Sequence, residues 1–177
     1  PSLAGAWQMG NVATAARALE VLAAKRERIT SDAMADGFAA TRWPARMERV
    51  GGVLFDAAHN LDGMRALVDA LRGQRVGAVV FGASRDKDYA GMLAAVEAVA
   101  PPARWFFGAA PMARAAEPKA LAKVRGGTAC ASPEEALAQA QAQCGAGEVV
   151  LVCGSIYFVA RVRAALLGLE QEPSIGL

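Results

Sequence analysis

Histidine is nearly missing from this 177-residue chain, with His59 the only one. A structural zinc site needs several Cys or His ligands at close spacing. The three cysteines, Cys130, Cys144 and Cys153, lie far apart and form no Cys-x-x-Cys pair. Their odd number and spacing exclude a disulfide framework and predict reduced, buried thiols in a cytosolic protein. An excess of one charge is missing too: 19 basic against 17 acidic residues leave a net charge of +2. The basic residues are scattered, so neither a nucleic acid nor a membrane surface is expected as a partner. Apolar stretches such as Val149–Cys153 fall far short of the roughly 20 residues that a membrane helix requires.

Several catalytic signatures are absent as well. No G-x-x-x-x-G-K-[ST] phosphate loop occurs, nor any Gly-Lys pair. No G-x-G-x-x-G follows a strand, which argues against a nicotinamide or flavin enzyme. No G-x-S-x-G elbow is present, and any hydrolytic triad would have to use His59. The N-terminus, PSLAGAWQMGN, has neither the basic start nor the apolar core of a signal peptide. It opens on Pro1 and not on Met, which predicts a chain processed, truncated or cut from a longer one.

What is present is a well-buried globular composition, 54% hydrophobic and rich in Ala and Gly. Residues 1–49 read as helical. Val12, Ala15, Ala16, Leu19 and Leu22 recur at helical spacing behind Asn11 as a cap, and Thr30 or Ser31 opens a second short helix. Two helices of this size enclose no core, so they are expected to pack on something else. From about Val50 to residue 177 the pattern turns to strand, loop and helix. Strands are predicted at Val53–Asp56, Val76–Phe81, Arg104–Phe107, near Thr128, and at Val149–Cys153. Helices are predicted over Asp62–Leu71, Tyr89–Val99, Ala113–Val124, from Ser132 onward, and over Tyr157–Leu167. Continuous apolar strands alternating with amphipathic helices imply an α/β fold, a mostly parallel sheet covered by helices on both faces.

In such sheets ligands bind at the C-terminal ends of strands. Three of those junctions carry polar chemistry. After the first strand, Asp56-Ala57-Ala58-His59-Asn60-Leu61-Asp62 places the one imidazole between carboxylates at a helix start. His59 can carry a proton or bond a phosphoryl oxygen there. The plainer reading is that Asp62 caps the helix and local backbone satisfies His59. Gly82-Ala83-Ser84-Arg85-Asp86-Lys87-Asp88 reads first as a solvated loop with a helix cap, and second as an anion site. Gly154-Ser155 at a helix start offers N–H groups and a hydroxyl to an anion, or serves as a cap. Arg46, in Arg42-Trp43-Pro44-Ala45-Arg46-Met47-Glu48, either stacks on a base or pairs with phosphate, or is a surface residue of a connection.

Taken in order, these segments resemble the Mur ligase superfamily, in its folylpolyglutamate synthase/dihydrofolate synthase branch. The resemblance spans nearly the whole chain: GAWQMGNVATAARALEVL, Trp-Pro-x-Arg-x-Glu at 43–48, Asp-x-Ala-His-Asn at 56–60, VVFGASRDKDYAGML and VLVCGSIYF. It implies a Rossmann-like C-terminal glutamate ligase domain at 50–177, preceded by a short helical segment, 1–49, left from a central ATPase domain. It further implies a cytoplasmic enzyme that uses ATP and Mg²⁺ to phosphorylate a folate-type carboxylate, which the glutamate amine then attacks. The phosphate loop, most metal ligands and the pterin pocket would belong to an N-terminal ATPase portion that this chain lacks, so the fragment alone is expected to be inactive. By motif match, Asn11 and Arg46 would contact the nucleotide and Asp56 its ribose or phosphate region. Asp56 and His59 would sit at the reacting centre, and Ser155 near the glutamate; no residue here is matched to a metal. Ala57 replaces the usual glycine, Leu61 the usual proline, and Trp7 a common histidine. Two other readings stay open: a non-catalytic binding module with a ligase-derived fold, and a ligase of this superfamily for another amino acid.

Overall fold

A computed structural model describes residues 7–25, 29–100 and 104–170. Two helices come first, α1 (Trp7–Ala23) and α2 (Ser31–Ala40), and α1 packs chiefly on α2. Thr30 caps α2 by accepting the Ala33 N–H at 3.1 Å. Asn11, expected as the cap of α1, lies inside that helix, which already begins at Trp7. Its amide donates instead to Gln8 Oε1, one turn back, at 2.9 Å. α2 buries no residue, and Met9, Val21 and Leu22 of α1 remain exposed. These helices therefore add little to the core.

The sheet has six strands: β1 (Glu48–Val50), β2 (Val53–Phe55), β3 (Val76–Phe81), β4 (Trp105–Phe107), β5 (Thr128–Ala129) and β6 (Val149–Cys153). Their spatial order is β1-β2-β6-β3-β4-β5, parallel throughout except for the antiparallel pair β1–β2. The parallel α/β architecture thus matches the expectation. β1 is additional to the strands expected from the sequence, which begin at Val53, and it lies at the linker edge of the 1–49 segment. Val50 pairs directly with Val53, leaving Gly51-Gly52 as a two-residue hairpin loop. Gly51 has φ 58°, the positive value that the first central position of such a turn demands.

Strand pleating sorts the core into two layers. Leu54, Val79, Phe81, Trp105, Phe107 and Leu151 face α3 (Leu61–Ala70), α4 (Tyr89–Glu97) and α5 (Pro118–Arg125). Phe55, Ala78, Val80, Phe106, Val150 and Val152 face α6 (Pro133–Gln143) and α7 (Ile156–Leu167). Every residue of β2, β3, β4 and β6 is buried, as continuous apolar strands require.

Local signals account for most helix starts. Ser132 accepts the Glu135 N–H at 3.1 Å, Pro133 takes the first helical position, and Glu135 reaches back to the Ala131 N–H at 2.7 Å. α5 begins five residues later than expected. The segment before it is held extended along the β3 loop, where Ala116 N–H donates to Ala83 and Ala115 bridges Ser84. Pro118 then keeps Glu117 out of the helical region. Of the three thiols, all free, Cys130 and Cys153 are buried and Cys144 is half-buried.

Phe158 of α7 is fully buried, and its ring fills the space left by the missing side chains of Gly82 and Gly108. Phe158→Ala is expected to destabilise the protein by about 3–5 kcal/mol. Chemical denaturation followed by circular dichroism checks this, and a midpoint equal to wild type would contradict the packing assignment.

Candidate active site

The chain leaves β2 into α3 on one face of the sheet and leaves β6 into α7 on the other, and β2 and β6 are neighbours. The two connections part here, and this switch point is where open α/β sheets form their ligand crevice. Backbone bonds tie its walls together: Asp56 N–H to Val152 at 3.0 Å, and Gly154 N–H to the Ala58 carbonyl at 3.0 Å.

Asp56 directly follows β2 and is 3% exposed. Its Oδ1 accepts the Ala58 N–H at 2.9 Å and its Oδ2 accepts the Met47 N–H at 3.1 Å. Burial raises its pKa, opposed by those two N–H groups and by the charge of Arg46. The carboxylate thus holds together the loop it begins and the turn that precedes the sheet. In that turn Ala45 and Met47 both adopt left-handed backbone, φ 55° and 51°. Such non-glycine positions cost on the order of 1–3 kcal/mol each and persist only where the surroundings over-determine them. Here Glu48 accepts the Ala45 N–H at 2.7 Å, Ala57 N–H donates to the Ala45 carbonyl at 2.8 Å, and Asp56 holds Met47. Arg46, between the two, is exposed and makes no hydrogen bond or ion pair among the described residues. Its guanidinium is free to meet a ligand anion.

His59 is half-buried, with Nδ1 3.0 Å from the Ala57 carbonyl. A carbonyl only accepts, so Nδ1 carries the proton in this bond and Nε2 is left for a ligand. Asn60 caps α3, its Oδ1 accepting the Gly63 N–H at 2.8 Å. Asp62, the cap in the plainer of the two sequence readings, lies instead in the first turn beside Arg65. Leu61 takes the first helical position, where proline is favoured for its fixed φ and missing donor. That explains why the leucine here leaves the loop intact.

Ser155 precedes α7 and is 3% exposed, yet its hydroxyl makes no capping bond. The hydroxyl and the first N–H groups of α7 are therefore available to an anion. Gly154, at φ 111°, makes the turn into α7, and a Cβ there would stand 2.6 Å from the Gly82 carbonyl oxygen and 2.7 Å from the Phe81 ring. Gly154→Ala is expected to displace Ser155 and lower the unfolding midpoint. A variant with wild-type stability and ligand response would contradict this.

The structure thus brings Arg46, Asp56, His59 and Ser155 to one crevice. Asn11 belongs to α1, and no hydrogen bond joins it to the strand ends. The Gly82–Asp88 loop follows the plainer reading: Asp88 caps α4 by accepting the Gly91 N–H, Arg85 is bound to the Ala113 carbonyl, and residues 85–88 are exposed. Ser84 departs from it, being buried with its hydroxyl 3.5 Å from Met112 Sδ. Arg163 was missed altogether. It lies 115 residues from its partner Glu48, and no local pattern marks it. No group of three His, Cys, Asp or Glu able to hold a metal occurs among the described residues. No helix among them is long and apolar enough to cross a membrane.

Residues 45–156 match the family described as Mur ligase, glutamate ligase domain. The folylpolyglutamate synthase of Lacticaseibacillus casei is 32% identical over 173 residues, covering 94% of this chain and 40% of that protein. A Yersinia pestis bifunctional folylpolyglutamate synthase/dihydrofolate synthase, solved with AMPPNP and Mn ion, superposes with TM-score 0.73 at 31% identity. That match covers 85% of this chain and 38% of the other. Another such bifunctional enzyme, solved with Mn, AMPPNP and L-glutamate bound, gives TM-score 0.75 at 32% identity over 88% of this chain and 39% of that one. The chain therefore spans about two fifths of the curated relatives it matches. It belongs to the Mur ligase family, as a glutamate ligase domain.

Proposed function

We propose that this chain is the C-terminal domain of an ATP-dependent cytoplasmic ligase that adds L-glutamate to a folate or dihydropteroate carboxylate. The observation that carries this reading is the convergence of an unpartnered Arg46, the free Nε2 of His59 and the uncommitted Ser155 hydroxyl on one crevice. The relatives support it, since one was solved with both AMPPNP and L-glutamate. In the reaction, the γ-phosphoryl group of ATP passes to a carboxylate oxygen, giving ADP and an acyl phosphate. The glutamate amine attacks the carbonyl carbon, the C–O bond to phosphate breaks, and the amine gives up a proton as the amide forms.

The residues of this chain act by position and charge, which dominate phosphoryl chemistry. Arg46 pairs with the nucleotide phosphates. Asp56 fixes the turn that presents Arg46 and so sets the ribose or phosphate side of the nucleotide site. Asn11, on α1, approaches the nucleotide from the helical segment. The Nε2 of His59 accepts the amine proton or, once protonated, bonds a phosphoryl oxygen. Ser155 and the start of α7 receive a carboxylate of the incoming glutamate. Mg²⁺ would arrive with ATP. No group of three metal-ligating side chains among the described residues would hold it without the nucleotide phosphates.

Without a phosphate loop of its own, the chain depends on an ATPase domain and is inactive alone. The test is ATP-dependent incorporation of labelled glutamate into dihydropteroate or tetrahydrofolate by the full-length ligase. Stoichiometric ADP and glutamylated product are expected. Incorporation of a different amino acid in place of glutamate would reassign the chain to another branch of the superfamily.

A further inference from the structure

We infer that the Glu48–Arg163 ion pair is a latch by which α7 positions Arg46 for the nucleotide, with Arg163 as a positioning residue. The inference rests on the reading above that Arg46 meets the nucleotide. Arg163 Nε lies 2.7 Å from Glu48 Oε2 and Nη2 lies 2.8 Å from Oε1, a two-point fork. The side chains are only 22% and 24% exposed, so the pair is shielded better than an ordinary surface ion pair. Glu48 Oε2 also accepts the Ala45 N–H at 2.7 Å. Met47 N–H is held by Asp56 in the same manner. Two carboxylates thus grip the left-handed residues on either side of Arg46, whose own side chain is left unpartnered. Asp56 anchors its half of the turn to β2, and Arg163 anchors the other half to α7.

α7 starts beside Ser155 and carries Arg163 eight residues later, about two turns along. One rigid helix therefore joins the glutamate end of the crevice to the nucleotide end. A lysine at 163 would keep the charge but lose the planar fork that fixes the carboxylate.

Steady-state kinetics of the full-length ligase test the latch, with Arg46→Ala as the reference. Arg163→Met is expected to raise KM for ATP about tenfold while KM for glutamate stays within about twofold. Arg163→Lys should fall between wild type and Arg163→Met. The exchanged pair Glu48→Arg with Arg163→Glu should not recover the loss, since a guanidinium at 48 has no acceptor for the Ala45 N–H. Combined with Arg46→Ala, Arg163→Met should add little, since both remove the same contact. A pair that only stabilised β1 would lower the thermal midpoint and leave the two KM values in their wild-type ratio. If Arg163→Met fails to fold, Glu48→Gln carries the same comparison. The latch is overturned if Arg46→Ala raises KM for ATP while Arg163→Met and Glu48→Gln do not, or if the effects multiply in the double variant. A silent Arg46→Ala overturns the functional reading itself, and the latch with it.

Discussion

Arg46→Ala in the full-length ligase is expected to lower ATP-dependent glutamate addition by about 10²–10³-fold, the range for removing one preorganised donor to developing charge. Several observations set that expectation. The guanidinium makes no hydrogen bond or ion pair within the described residues, so its removal breaks none and withdraws only its distant charge from Asp56. The backbone around it is held in left-handed conformations by Glu48, Asp56 and Ala57, at a cost that an idle surface arginine would not explain. The thermal midpoint should therefore stay close to wild type while turnover collapses. Arg46→Lys keeps a point charge without the fork, and should recover only part of the rate. Parallel rate and melting measurements separate the two effects. A fully active Arg46→Ala variant would remove this residue from the mechanism.

His59→Ala carries the second large expected effect, a loss of about 10²–10⁴-fold in the ligation step, the span of general acid–base contributions. The Ala57 carbonyl fixes which nitrogen bears the proton, so Nε2 is presented as an acceptor in one orientation. His59→Gln offers a sharper reading, because a glutamine amide can replace a hydrogen bond but cannot take up a proton. If the variant keeps acyl-phosphate formation and loses only amine attack, proton acceptance is the role. If both steps are largely kept, the hydrogen bond to a phosphoryl oxygen is. Trapping the acyl phosphate under single-turnover conditions distinguishes these outcomes. Unchanged turnover in His59→Ala would leave the only histidine of the chain without a part in catalysis.

Much of this architecture was legible in the sequence because it depends on local patterns. The buried strands at Val76–Phe81 and Val149–Cys153 appear where their unbroken apolar runs place them. The Ser132-Pro133 start of α6 is a short-range signal as well. What escaped depends on distance or on competing bonds. The strand at Glu48–Val50 is too short and too polar to announce itself, although Gly51-Gly52 between Val50 and Val53 is a hairpin signal. α5 starts late because the β3 loop claims the backbone before it, a contact that no periodicity encodes. At the site, the residue types at the strand ends pointed to Asp56, His59 and Ser155, while the division of labour among them did not show. That Asp56 spends its first bonds on backbone, that Asn60 rather than Asp62 caps α3, and that Arg163 reaches Glu48 all require the folded chain.

On the proposed function, nucleotide and glutamate meet this domain at the crevice between the ends of β2 and β6. Hydrogen–deuterium exchange of the full-length ligase, with and without AMPPNP and L-glutamate, tests it most directly. The account predicts slowed exchange at the 45–60 segment on adding the nucleotide and at 154–158 on adding glutamate, with the opposite sheet end around Arg72–Val76 unchanged. Protection confined to that opposite end, or none in either crevice segment at saturating ligand, would contradict it.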